Sequence, residues 1–180
     1  MNRIRIRPLM TAAALAGALF TARPALAGPP LLCFPFDIGA ARSLPMGTGN
    51  WHATDPSYNI AHLVDDTLAL LTPQTPVLVR METLRRATIY ASTDAAVADA
   101  LLQGLRARAA KPTADAPLAV FDFGYLVETF REARPVYRSI PAVDGINGYQ
   151  LVLKAHAIAR NDEMMRAAKL IEDGQPHATK

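Results

Sequence analysis

The sequence predicts an all-α protein: about six helices, stacked as irregular helical hairpins or folded into a compact bundle, behind an extended Pro/Gly-rich arm. Three observations point there. Proline and capping residues punctuate the chain from Asp55 onward at helix-sized intervals, apolar residues between them recur at helical spacing, and no stretch alternates as a strand does.

At the amino terminus Arg3, Arg5 and Arg7 precede an apolar run from Leu9 to Phe20, and Ala25-Leu26-Ala27 follows. Charged, apolar and small segments in that order make a cleavable secretory signal peptide, so residues 1–27 are expected to be removed. The apolar run has 12 residues, whereas a helix needs about 20 to cross a bilayer, and no later run is longer. No transmembrane span is expected in the mature protein. The leader has no Arg-Arg pair, which favours export in the unfolded state. A lipid anchor on Cys33 would need small residues before it, and Pro30-Leu31-Leu32 stand there instead.

Residues 28–55 hold Pro29, Pro30, Pro35 and Pro45 together with Gly39, Gly47 and Gly49, and show no sustained period. They read as an extended arm. Leu31, Leu32, Phe34, Phe36, Ile38, Leu44, Met46 and Trp51 make it too apolar for a free linker, so it should lie against the helices.

Asp55-Pro56 is an N-cap followed by a first-turn proline, and Ile60, Leu63, Val64, Leu68 and Leu71 share one face until Thr72-Pro73; the first helix is placed at 57–71. Thr75-Pro76 repeats the start for a helix at 76–91, with Val77, Met81, Leu84 and Thr88 inward and Arg80, Arg85 and Arg86 mostly outward. Ser92-Thr93-Asp94 caps a third helix through Val97, Leu101, Leu102 and Leu105, ending before Pro112. A fourth opens between Thr113 and Pro117 and carries Leu118, Phe121, Phe123, Tyr125, Leu126, Val127 and Phe130. Apolar most of the way round, it should be central. Arg134-Pro135 ends it, and residues 135–144 connect to a fifth helix at 148–160 and a sixth at 162–173, with Gly174 as the stop. Residues 175–180 are expected to fray.

In the last pair, from Tyr149 to Ile171, small residues stand at Ala155, Ala157, Ala167 and Ala168. Over about 25 residues this resembles a tetratricopeptide hairpin, without that family's Trp, Gly and Pro positions. The resemblance implies architecture only. Helix starts near 57, 94 and 148 are unevenly spaced, unlike a regular array.

The chain has 19 Lys plus Arg against 16 Asp plus Glu. Four of the arginines (Arg3, Arg5, Arg7, Arg23) lie in the leader, leaving 15 against 16, so the mature chain is near −1 and the basic character belongs to the leader. A clustered basic surface, which nucleic-acid binding needs, has no support. The roughly 153 mature residues are enough for one domain with a real core.

Cys33 is the only cysteine, so the chain has no internal disulfide, and its apolar neighbours make a packed thiol the first expectation ahead of an adduct or intermolecular bridge. His52 and Asp55 form a conceivable base-and-orienter pair, although Asp55 already serves as a cap. His62, Asp65 and Asp66 stand at i, i+3 and i+4 but read as a solvated helix face, and no metal site is expected. Glu82 with Arg85 and Arg86, and Glu128 with Arg131 and Glu132, have the spacing of surface ion pairs. No cofactor motif is present: Gly47-Thr48-Gly49 lacks a third glycine, and haem attachment would need Cys-x-x-Cys-His.

The expected function is therefore that of an exported, non-enzymatic helical binding or scaffold protein, resident in a bacterial periplasm or secreted, with another envelope protein as a partner. Cys33, Phe34, Phe36, Trp51 and His52 on the arm are the candidate binding residues. A small envelope hydrolase using acids among Asp65, Glu82 and Glu128, with His52 and Asp55, is one alternative. Thiol-based redox or tethering through Cys33 is another.

Overall fold

Helix starts are where sequence and structure meet most directly. In the computed structural model, which describes residues 29–174, the Asp94 carboxylate accepts from the main-chain N–H of Ala96 and Val97 and opens α4 (Ala95–Ala109). Asn147 does the same for Gln150 at the head of α6 (Gly148–Ala159). These caps satisfy donors that a helix leaves unpaired in its first turn. The other helices are α1 (Pro30–Cys33), α2 (Leu63–Leu70), α3 (Val77–Ala91), α5 (Ala116–Ala133) and α7 (Asp162–Gly174), and among the described residues there is no strand. The segment expected to be a signal peptide, residues 1–27, and the tail expected to fray, residues 175–180, lie outside the described residues.

Two boundaries differ from expectation. The segment expected to begin a helix at 57 makes one 3₁₀ turn at Ile60–His62 and becomes α-helical only at Leu63. Asp55 caps a turn instead, accepting from the N–H and hydroxyl of Ser57 at 2.8 and 2.7 Å, while Asn59 caps Ala61. Tyr58 explains the delay. Its ring packs on Tyr90 at 4.7 Å and its hydroxyl donates to Asp66 at 2.8 Å, which holds residues 55–59 out of helical geometry. The second difference is α1, whose four residues are too few to show a period.

The core is organised around α5, which packs against α3, α4 and α6 as well as α1. Phe121, Tyr125, Leu126, Val127 and Phe130 are fully buried, each large apolar side chain stabilising the fold by about 1.5–3 kcal/mol through burial. Gly124 and Gly148 let α5 and α6 cross closely: a Cβ on Gly124 would stand 2.8 Å from both the Gly148 carbonyl oxygen and the Leu151 Cβ. The hairpin of α6 and α7 buries Ala155, Ala167 and Ala168 but leaves Ala157 exposed, so the repeat-like placement of small residues is only partly used for packing.

Residues 34–59 carry no helix before Ile60. Leu31, Leu32 and Leu44 are nonetheless within the core, and Phe36, Met46, Trp51 and Tyr58 pack against it. This layer covers the side of α3 that faces away from α5. As a result, only Leu78 and Arg86 of that helix escape full burial.

Candidate functional site

Arg80, Glu82, Thr83 and Arg85 are all buried. The expected ion pairs of Glu82 do form, but in the interior and not on the surface, because the arm lies over the face that an amphipathic reading assigns to water. The Glu82 carboxylate receives Arg85 Nε at 2.7 Å, Arg86 Nε at 2.7 Å and the Phe36 N–H at 3.0 Å. Burial on its own raises the Glu82 pKa, yet the hydrogen bonds from Arg85 and Arg86 outweigh it and hold the carboxyl below its ordinary range.

The two arginines also donate to the arm. Arg85 donates to the carbonyls of Leu32 at 3.1 Å and Trp51 at 3.0 Å, and Arg86 to that of Leu44 at 2.6 Å. Tyr90 completes the seam by donating to the Pro45 carbonyl and accepting from the Asp55 N–H. Where a coil segment lies against a helix without ladder partners, side chains satisfy its inward main-chain groups, here the carbonyls of Leu32, Leu44, Pro45 and Trp51.

The acids of α5 work similarly. Glu132 accepts from the Leu31 N–H at 2.9 Å and so caps α1, which has no side-chain cap of its own. Burial dominates its titration and pushes its carboxyl up to about 7, against the lowering effect of that N–H. Glu128 accepts from the Tyr149 N–H at 3.0 Å near the start of α6 and pairs with Arg131, which donates to the Ile146 carbonyl at 2.5 Å.

A further buried pair joins Arg80 and Asp122 at 2.6 Å. Arg80 also donates to the carbonyls of Thr72 and Thr75, and Arg108 reaches Leu71, Asp115 and Asp122, fixing the α2–α3 turn against α5. Complete burial pushes Asp122 up to about 6 despite both arginines.

The remaining candidates are dispersed. His52 is exposed, its ring edge-on to Trp51 at 4.6 Å, and Asp55 bonds Ser57; no hydrogen bond joins the two among the described residues. Asp65 and His62 are exposed, whereas Asp66 turns inward to Tyr58, so that trio does not converge. Cys33 is partly accessible; burial foremost, then the charge of Glu132, raises its pKa, with Arg85 opposing. A neutral thiol is a poor nucleophile.

Two open clefts border the arm. One, of about 300 Å³, lies where Phe36 meets α3 and α7 and is lined by Leu78, Met81, Ala167 and Leu170 with Glu163 and Arg166. The other, of about 580 Å³, lies between residues 42–45 and α2, and Arg42, Tyr58 and Asp66 reach it. Leu78 and Arg42 were missed by sequence reasoning, since each looks like an ordinary surface residue until the course of the arm is known.

The chain matches no known protein-family model, and no curated protein or solved structure matches it.

Proposed function

We propose that this is an exported, non-enzymatic binding protein of a bacterial envelope, whose helical domain receives an apolar ligand or partner segment in the cleft between α3 and α7. The observation that carries the reading is what the arm does there. Phe36 lines that cleft together with Met81 and Leu170, and Leu78 beside it keeps 39% of its surface. Clustered apolar exposure around a concavity is the usual mark of a binding surface.

The acid chemistry of a hydrolase finds less support. Glu82 holds two arginines and a main-chain N–H, Glu128 pairs with Arg131 and accepts from a main-chain N–H, and Asp65 stands exposed on α2. A general acid needs a proton to give and an open approach to substrate.

Titration with an apolar fluorescent probe, N-phenyl-1-naphthylamine, tests the proposal. Saturable binding near one probe per chain is expected, and Leu78→Glu, which alters a half-exposed position, should weaken it at least tenfold with an unchanged melting temperature. Unsaturable or absent binding, combined with turnover of nitrophenyl esters or glycosides, would overturn it. Amino-terminal sequencing of protein recovered from its native envelope tests export, with Gly28 expected first.

A further inference from the structure

The second cleft differs from the first in being charged. On one wall residues 42–45 of the arm bring Arg42 and Ser43, on the other α2 brings Asp66, and Leu44, Pro45, Ala69 and Leu70 supply apolar surface between them. Arg42 and Asp66 carry opposite charges into the same 580 Å³ space, yet no ion pair joins them. Arg42 in fact has no hydrogen-bond or ion-pair partner among the described residues.

Asp66 is held differently. The Tyr58 hydroxyl donates to its Oδ2 at 2.8 Å, and Tyr58 is itself fixed by packing on Tyr90. The carboxylate is thereby oriented while Oδ1 keeps its accepting capacity. Tyr58 has its pKa raised, first by burial and then by the bond to Asp66, so it remains a donor across the physiological range.

The arm adds amide chemistry. The main-chain N–H groups of Arg42, Ser43 and Leu44 make no main-chain hydrogen bond within the described residues, although the Leu44 carbonyl is taken by Arg86. A non-helical segment with free N–H groups, flanked by a fixed anion and an unpaired cation, suits a ligand that has amide carbonyls, an ammonium group and a carboxylate.

We propose that this cleft binds a short peptide with free termini, its ammonium group on Asp66, its carboxylate on Arg42 and its amides along residues 42–44. The proposal takes up the reading of the protein as a binding protein but concerns a site separate from the α3–α7 cleft.

Calorimetric titration of the mature protein with trialanine, N-acetyl-trialanine and trialanine amide tests it. Saturable binding of trialanine is expected, and acetylation or amidation should each weaken it roughly tenfold or more, as loss of a charge-assisted hydrogen bond does. Asp66→Asn should weaken trialanine similarly while leaving the acetylated peptide unaffected, and Arg42→Gln should weaken trialanine while leaving the amide unaffected. Ala69→Phe, at an exposed position of α2 on the cleft wall, should block all three peptides. Unchanged melting temperatures and unchanged N-phenyl-1-naphthylamine binding will show that the variants fold.

Absence of trialanine binding, equal affinity for free and capped peptides, or indifference to Asp66→Asn and Arg42→Gln would each overturn the proposal. Because the naphthylamine probe reports the other cleft, such a failure is distinguishable from failure of the binding-protein reading itself.

Discussion

Replacing Glu82 with Ala removes one carboxylate and strands several groups at once. Arg85, only 2% exposed, loses both of its carboxylate contacts at 2.7 and 2.9 Å, Arg86 loses one at 2.7 Å, and the Phe36 N–H loses its acceptor. Breaking a buried pair by deleting one partner costs about 3–5 kcal/mol, because the remaining charge stays desolvated. A surface pair at i, i+3 or i+4 on a helix contributes only about 0.2–0.5 kcal/mol. The two readings of the same spacing therefore differ by roughly tenfold in energy, a gap that urea unfolding followed by circular dichroism resolves easily. For a domain of this size the larger figure corresponds to a melting temperature lower by roughly 6–20 °C. Hydrogen exchange should accelerate first within residues 31–51, where Arg85 and Arg86 hold the carbonyls of Leu32, Leu44 and Trp51. A loss below about 1 kcal/mol, with the arm still protected, would refute the claim that this network anchors it.

Further expectations follow from the same contacts. Glu132 and Asp122, raised to about 7 and about 6, keep their protons in the fold at pH values where the unfolded chain has released them, so stability should fall as pH rises through that range. Glu132→Gln should flatten the fall near pH 6–7, as read from urea midpoints between pH 5 and 8. Glu82, held below its ordinary range, acts in the opposite sense, and its contribution should be lost as the medium becomes more acidic than about pH 4.5. Gly124→Ala places a methyl group against the backbone of α6 and should cost about 1–3 kcal/mol in the same assay. Cys33, its thiol raised by burial, should react with iodoacetamide more slowly than glutathione at pH 8, and Cys33→Ser should leave the protein's migration on a non-reducing gel unchanged.

Much of the helical architecture was legible in the sequence because local chemistry decides helix ends. Asp94 and Asn147 cap where their side chains must, and the all-round apolar surface of α5 announces its central place. The buried arginines were not legible. Periodicity assigns a charged residue to water unless something covers it; the cover on Glu82 and Arg85 comes from residues 31–55, some 30–50 positions earlier in the chain, and that on Arg80 from Asp122 of α5 and the turn before α3. One clue was available: an apolar arm full of unpaired main-chain groups precedes a helix carrying Glu82, Arg85 and Arg86. Such an arm needs donors and acceptors from side chains, and that helix has them. The clefts were hidden for the same reason, since Leu78, Arg42 and Asp66 acquire meaning only once the path of the arm and the inward turn of Tyr58 are known.

The most direct test of the central claim is a methyl-resolved NMR titration of the protein with N-phenyl-1-naphthylamine. The account predicts saturable shifts concentrated on the methyl groups of Leu78, Met81, Ala167 and Leu170, with those of Leu101 and Leu105 on the far side of the core unmoved. Scattered or absent shifts would contradict it, and the α3–α7 cleft would then be no binding site.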